Sequence, residues 1–303
     1  MKYSIITPTK NEVKYITKTL DSVVKQSVLP VQWIIINDGS DDGTDNIIKD
    51  YLNNYDWITT IKLQNFQPSI KATGGRVAFL LNYAIAKLDK DLDLICKLDS
   101  DIEFEYDFFE KLLIEFNKNS RLGVSSGLLV YDGKAEKLSD NYTRGASLIV
   151  RKEILEATKG FYESKSSGED TLIAVAARYF GWETKSFPIY FNHLKKEYSR
   201  NSFFYESFIA GFYRGSIPYN FLYFLLSQIK YILATPIIIG TILQLIGYFY
   251  SRFIRKYRPF PDYIHKQVTF EQKETLLKYF GVFSRSVGKK QYRNSKSTNK
   301  QAG

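Results

Sequence analysis

Asp99 and Asp101, with only Ser100 between them, close a short apolar run, Leu94-Ile95-Cys96-Lys97-Leu98. Two carboxylates at i and i+2 can share a hard divalent cation, one directly and one through water, and leave coordination sites for phosphate oxygens. Mg2+ or Mn2+ suits such oxygen ligands. Asp-x-Asp alone also describes an ordinary solvated turn. Its place at the end of a buried strand raises it, because α/β proteins bind ligands at the carboxyl edge of the sheet. Lys97 is expected to point away or to pair. A second acidic pair, in Gly168-Glu169-Asp170, opens a helix. Free N–H groups and the helix dipole stabilise a carboxylate there, so a cap is an adequate reading. The functional reading is a carboxylate that takes a proton from an acceptor hydroxyl. His193, one of two histidines, is either a structural or surface residue or a further ligand.

The elements that must position these groups follow from periodicity. Tyr3–Thr7, Val31–Asn37, Trp57–Leu63 and Leu94–Leu98 read as strands, the first closed by Pro8. Between them run helices opened by Asn11 and Glu12 and carrying Val13, Ile16, Leu20, Val23 and Val24, then through Ile47, Ile48 and Leu52, then over Gly75–Leu88. Such alternation specifies a doubly wound α/β layer whose right-handed crossovers bring Pro8–Glu12, Asp38–Thr44 and Asp99–Asp101 to one edge. The Asp38 loop alone reads as a solvated turn with a helix cap. Further on we expect a helix over Tyr106–Asn117, strands over Gly123–Tyr131 and Ala146–Arg151, and a helix over Lys152–Thr158. After these come a helix burying Leu172, Val175, Ala176 and Tyr179, and a last strand over Glu183–Ser186, followed by His193.

The chain has 303 residues, 44% hydrophobic and 16% aromatic, enough for a full core. Its single cysteine, Cys96, lies in the apolar run, which excludes a disulfide framework and a cysteine metal site. The net charge of +10 is local: residues 251–303 carry 13 Lys or Arg against 3 Asp or Glu, and the first 250 residues are balanced. Because this basic stretch follows the most apolar one, an anionic membrane surface is expected as partner, and no nucleic acid. No signal peptide pattern opens the chain, so the amino-terminal body is expected in the cytosol.

Several spaced motifs together resemble family 2 glycosyltransferases of the GT-A fold. They are Ile5-Ile6-Thr7-Pro8-Thr9-Lys10-Asn11-Glu12, Ile35-Ile36-Asn37-Asp38-Gly39-Ser40-Asp41-Asp42-Gly43-Thr44, Lys97-Leu98-Asp99-Ser100-Asp101, Gly145-Ala146-Ser147-Leu148-Ile149-Val150-Arg151 and Gly168-Glu169-Asp170. The resemblance covers roughly residues 1 to 200. It implies an α/β, Rossmann-like, mostly parallel sheet flanked by helices, and a metal-dependent, inverting transfer from a nucleoside-diphosphate sugar, a UDP-sugar being favoured. Pro8 and Glu12 would line the base and ribose, Asp38 would accept from the base, and Arg76 would reach the base or the diphosphate. Asp101 would bind Mn2+ or Mg2+ directly and Asp99 would support it, through water or the ribose. Asp170 would be the general base with Glu169 beside it, His193 a further metal or diphosphate ligand, and Gly145 would leave room at the donor sugar. No Gln-x-x-Arg-Trp element follows His193, so a single addition is expected rather than processive synthesis. A polyprenyl-phosphate sugar synthase is the alternative. A nucleotidyltransferase would want a Gly-rich basic loop after the first strand, and a silent adaptor would have lost Asp101 or Asp170.

The domain reading is a catalytic GT-A domain over 1–205, a hydrophobic membrane-associated helical segment over 206–258 and a basic tail over 259–303, disordered beyond about 288. Tyr231–Tyr250 carries no charge and as one helix would reach about 30 Å, enough to span. Yet Arg252, Arg255, Lys256 and Arg258 belong on the cytosolic side together with the body. A re-entrant or interfacial hairpin broken at Pro236 and Gly240 resolves the conflict, placing the protein at the cytoplasmic membrane and its acceptor, lipid-linked or otherwise membrane-held, beside it.

Overall fold

The computed structural model describes residues 1–63, 74–131, 133–136, 138, 141, 143–163, 168–195, 203–217, 219–232 and 238–279. They fall into two compact units, 1–198 and 199–303. The first opens with β1 (Tyr3–Thr9), α1 (Ile16–Val24), β2 (Gln32–Asn37), α2 (Thr44–Asn54), β3 (Ile58–Lys62), α3 (Gly74–Ile85) and β4 (Leu94–Leu98). The strands pair in parallel in the order β3-β2-β1-β4. Their period of two sorts side chains onto two faces. Tyr3, Ile5, Trp33, Ile35, Leu94 and Cys96 pack on Leu20 of α1 and Ile48 of α2, while Ile6, Ile34, Ile36 and Ile95 pack on Ala78, Leu81 and Ala84 of α3. Each fully buried Ile or Leu contributes about 1.5–3 kcal/mol. β1, β2 and β4 therefore end at the same edge under apolar cover on both sides, with β3 half-exposed at the side of the sheet.

Pro8 does not close β1, which runs on to Thr9. Tyr3 and Thr9 accept bonds from the β2 side and Lys2 from the β4 side. Residue 8 thus addresses the β4 side, where pairing has already stopped at Ile6, and a missing N–H costs nothing there.

Beyond β4 come β5 (Ile102–Phe104), α4 (Phe108–Lys118), β6 (Leu122–Tyr131), β7 (Lys134–Ala135), β8 (Ser147–Arg151), α5 (Lys152–Thr158), α6 (Glu169–Tyr179) and β9 (Glu183–His193). β8 lies antiparallel between β4 and β6, and β9 runs parallel to β6 and antiparallel to β5. The sheet is mixed, which corrects the expectation of a mostly parallel one. Among the described residues no crossover helix separates β6 from β8, and the return is antiparallel. β9 also extends past Ser186 to His193. Ser126↔Ser186 is followed by Leu128↔Tyr190, so β9 spends extra residues around Pro188 in a bulge that absorbs the absent N–H. Tyr179, expected buried, is 40% exposed at the last turn of α6. There its ring packs edge-on against Phe180.

The second unit holds α7 (Phe203–Ser216), α8 (Phe221–Ile232), α9 (Ile239–Phe249), a π-wound turn over Tyr250–Arg255, and α10 (Asp262–Tyr279). Of the stretch expected to form a hairpin broken at Pro236 and Gly240, Tyr231 and Ile232 lie in α8 and Ile239–Phe249 form α9, which runs through Gly240 without a break. No helix among the described residues is long and apolar enough to cross a membrane. Pro236, Ser166, Ser167 and the tail beyond 288 lie outside the described residues.

Candidate active site

The turn after β4 delivers Asp99 and Asp101, and β5 follows at once, pairing Ile102 with His193. Leu194 donates its N–H to the Asp101 carbonyl at 2.8 Å. This short antiparallel ladder brings a residue from the far end of β9 to the carboxylates. One ligand atom each from Asp99, Asp101 and His193 lie within 4.8 Å of one another, and His193 Nε2 is 3.6 Å from Asp101 Oδ1. Burial pushes the Asp101 carboxyl up to about 6; His193 and Lys195 oppose the rise, while the Asp99 and Glu12 charges add to it. Buried negative charge of this kind is what a divalent cation offsets, and two carboxylates with an imidazole make a donor set that fits Mn2+ or Mg2+.

The other acidic pair reaches the same place through Lys97. Strand alternation puts Lys97 on the sheet face covered by α6, where its side chain is buried. Its Nζ lies 3.1 Å from Asp99 Oδ1 and 3.7 Å from Glu169 Oε1, and donates to the Gly145 carbonyl at 2.9 Å. Burial alone would lower the ammonium's pKa, but Asp99, Glu169 and Asp170 outweigh it and hold the pKa above its ordinary value. Burial likewise raises the Glu169 carboxyl, aided by Asp170 and opposed by Lys97. Asp170 Oδ1 accepts from the Thr171 N–H at 2.7 Å, while Oδ2 lies against Gly145, where a Cβ would overlap it. Gly145 thus admits Asp170, and Ala146 next to it accepts the Asp99 N–H at 2.9 Å.

The remaining expected residues line the same carboxyl edge. Glu12 is buried after β1; its Oε1 accepts from Lys195 Nζ at 2.8 Å, and its Oε2 has no hydrogen-bond partner among the described residues. Pro8 stands opposite Ile36 in β2. Asp38, just past β2, pairs with Arg76 of α3, whose Nε donates to Oδ2 at 3.0 Å and whose second nitrogen reaches Oδ1. The structure therefore gathers Asp99, Asp101, His193, Glu12, Gly145, Glu169 and Asp170 into one network, while Asp38 and Arg76 hold each other at the neighbouring strand end. The loop after β2 turns into α2 through Gly43, and Asp42 Oδ1 accepts the Thr44 N–H at 3.0 Å, as in an ordinary turn; no side chain caps the helix at Gly43.

Sequence reasoning expected Lys97 to point away or to pair without naming a partner, and gave Lys195 no role. Alternation in β4 assigns Lys97 to the sheet face opposite Cys96, without naming α6 as the element that covers it. Nothing local could have paired Lys195 with Glu12, 183 residues away.

The family model described as Glycosyl transferase family 2 matches residues 4–177. An uncharacterized glycosyltransferase of Mycoplasma genitalium is 32% identical over 124 residues, 40% of this chain and 39% of that protein. The minor teichoic acid biosynthesis protein GgaA of Bacillus subtilis is 25% identical over 154 residues, 48% of this chain and 32% of that protein. The chain thus matches well under half the length of these relatives. Among solved structures, S. aureus TarS 1-349 in complex with UDP-GlcNAc has a TM-score of 0.58 at 18% identity, over 94% of this chain and 93% of that one. The Pyrobaculum calidifontis mannosyltransferase PcManGT in complex with GDP-Man and Mn2+ has a TM-score of 0.54 at 13% identity, over 93% and 80%. These are likenesses of fold, a GT-A-like α/β fold with a mixed sheet.

Proposed function

The chain belongs to glycosyl transferase family 2, and from that premise we propose that it moves a sugar from a nucleoside-diphosphate sugar to a hydroxyl of a lipid-linked or membrane-held glycan acceptor. The UDP-GlcNAc of the TarS complex supports a UDP-sugar as the favoured donor. The observation that carries the reading is the Lys97 network, which joins a cation-competent cluster to the helix end bearing Asp170.

Asp101, Asp99 and His193 would hold Mn2+ or Mg2+, which when bound neutralises charge on the departing diphosphate. Glu12 and Pro8 line the base and ribose, with Asp38 and Arg76 beside them. Asp170 takes the proton of the acceptor hydroxyl as its oxygen bonds to the anomeric carbon and the bond to the diphosphate oxygen breaks, the electron pair leaving with the nucleoside diphosphate. Attack from the opposite face inverts the configuration. Lys97 holds Glu169 and Asp99 in register without touching substrate, and one sugar is added per encounter.

The test is turnover with UDP-, GDP- and dTDP-sugars and Mn2+ on lipid-linked glycan acceptors, with the anomeric configuration of the product read by NMR. Asp170→Asn is expected to keep donor binding and lower kcat about 10²–10⁴-fold, the usual contribution of a general base. A retained configuration, or an Asp170→Asn variant at full rate, contradicts the reading. The second outcome would favour a lipid phosphate acceptor, already ionised and needing no base, as in a polyprenyl-phosphate sugar synthase.

A further inference from the structure

In a water-soluble helix the apolar stripe faces inward and the polar one outward; α9 reverses this. Its inward positions are Thr241, Gln244, Gly247 and Tyr248, continued by Ser251. Arg214 of α7 donates to Gln244 Oε1 at 2.6 Å. A Cβ at Gly211 would overlap the Gln244 carbonyl oxygen, and one at Gly247 the Phe208 carbonyl oxygen, so α7 and α9 press backbone to backbone through glycines. Small residues at the contact and polar side chains as the adhesive are how helices pair where apolar burial supplies no drive.

The outward positions of α9 are Ile239, Ile242, Ile246 and Phe249, followed in the π-wound turn by Phe253, at spacings of three and four and 42–61% exposed. On α8, Leu222, Leu225 and Ile229 repeat the pattern, 45–57% exposed. Large apolar side chains exposed at helical spacing along one face mark an interaction site. Arg252, Arg255, Lys256 and Arg258 follow, with no acidic residue between 251 and 258.

We propose that the outward faces of α8 and α9 dock the second unit onto an anionic bilayer, both helices lying in the interface and neither crossing it. An amphipathic helix beside a basic cluster binds by sinking its apolar face into the acyl boundary while the cations meet anionic headgroups. Charge complementarity selects a lipid surface over a second copy of the chain, because a second copy would bring a second basic cluster against the first. The proposal deepens the membrane-held acceptor of the proposed function and rests on that reading for its purpose alone; its test uses no turnover, so the two fail separately.

The full chain is floated with phosphatidylcholine vesicles and with vesicles containing phosphatidylglycerol, at low and high salt. Wild type is expected to float with the anionic vesicles about tenfold more than with the neutral ones, the preference shrinking with salt. Ile242→Glu/Ile246→Glu, at exposed positions, should abolish flotation on both vesicle types with an unchanged circular dichroism spectrum. Arg255→Gln/Lys256→Gln/Arg258→Gln should remove only the anionic preference. Phe249→Trp should be quenched by lipids brominated near the headgroup more than by those brominated near the chain end. Wild type that floats with neither vesicle, a glutamate pair that floats normally, or deep quenching equal to shallow overturns the proposal. So does a vesicle-free dimer, seen by light scattering, that the glutamate pair turns into a monomer.

Discussion

At Lys97 one ammonium serves Asp99, Glu169 and the Gly145 carbonyl. Replacing it by methionine leaves a buried carboxylate without its counter-charge, a class of change that costs about 3–5 kcal/mol. Lys97→Met should therefore lower the unfolding free energy from urea titration by that amount; a change within error would mean the pair carries no weight. Gly145→Ala acts on the same network from the other side. The new Cβ must displace Asp170, so kcat should fall while KM for the donor holds, as for loss of a group that works only in the transition state. The carboxylates themselves were legible: Asp99-Ser100-Asp101 and Gly168-Glu169-Asp170 stand at strand and helix ends, where their chemistry is readable from type and spacing. The pairing of Lys97 was legible but not its partners, because alternation names the face a side chain takes but not the element that covers it. Nor was the Asp38–Arg76 pair, because both partners were assigned to a ligand.

Two antiparallel returns build the site at the level of elements. β8 sets Gly145 and Ala146 beside Asp99, and β5 with β9 carries His193 to Asp101. Position 127 holds β9 at its bulge: a Cβ there would lie 2.5 Å from the Ile189 carbonyl oxygen and 2.7 Å from the Phe108 ring. Gly127→Ala is expected to cost about 1–3 kcal/mol by overpacking. It should also weaken Mn2+ binding, because β9 must shift with His193 on it; loss of stability with metal affinity intact would separate the bulge from the site. β4 and α5 have the bounds read from the sequence, since each is a clean run between polar breaks. β5 escaped because three residues after an acidic turn carry no periodicity. β9 was read short because Pro188 looks like a stop unless the partner strand's register is known.

At the scale of the whole molecule, the catalytic reading lives in the first unit and the apolar, basic surface in the second. The alternating strand and helix pattern announced the α/β layer. It could not announce the mixed half, since antiparallel pairing depends on which strands lack a crossover helix between them. The proposed function depends on Asp99, Asp101 and His193 forming a cation site that binds a nucleoside-diphosphate sugar. Titration calorimetry of UDP-GlcNAc into the full chain, with Mn2+ and then with EDTA, tests it most directly. Binding with Mn2+ that drops at least about tenfold, about 1.4 kcal/mol, on chelation and in Asp101→Ala, with a smaller drop in Asp99→Ala, is the expected result. Donor affinity indifferent to both EDTA and Asp101→Ala would contradict it.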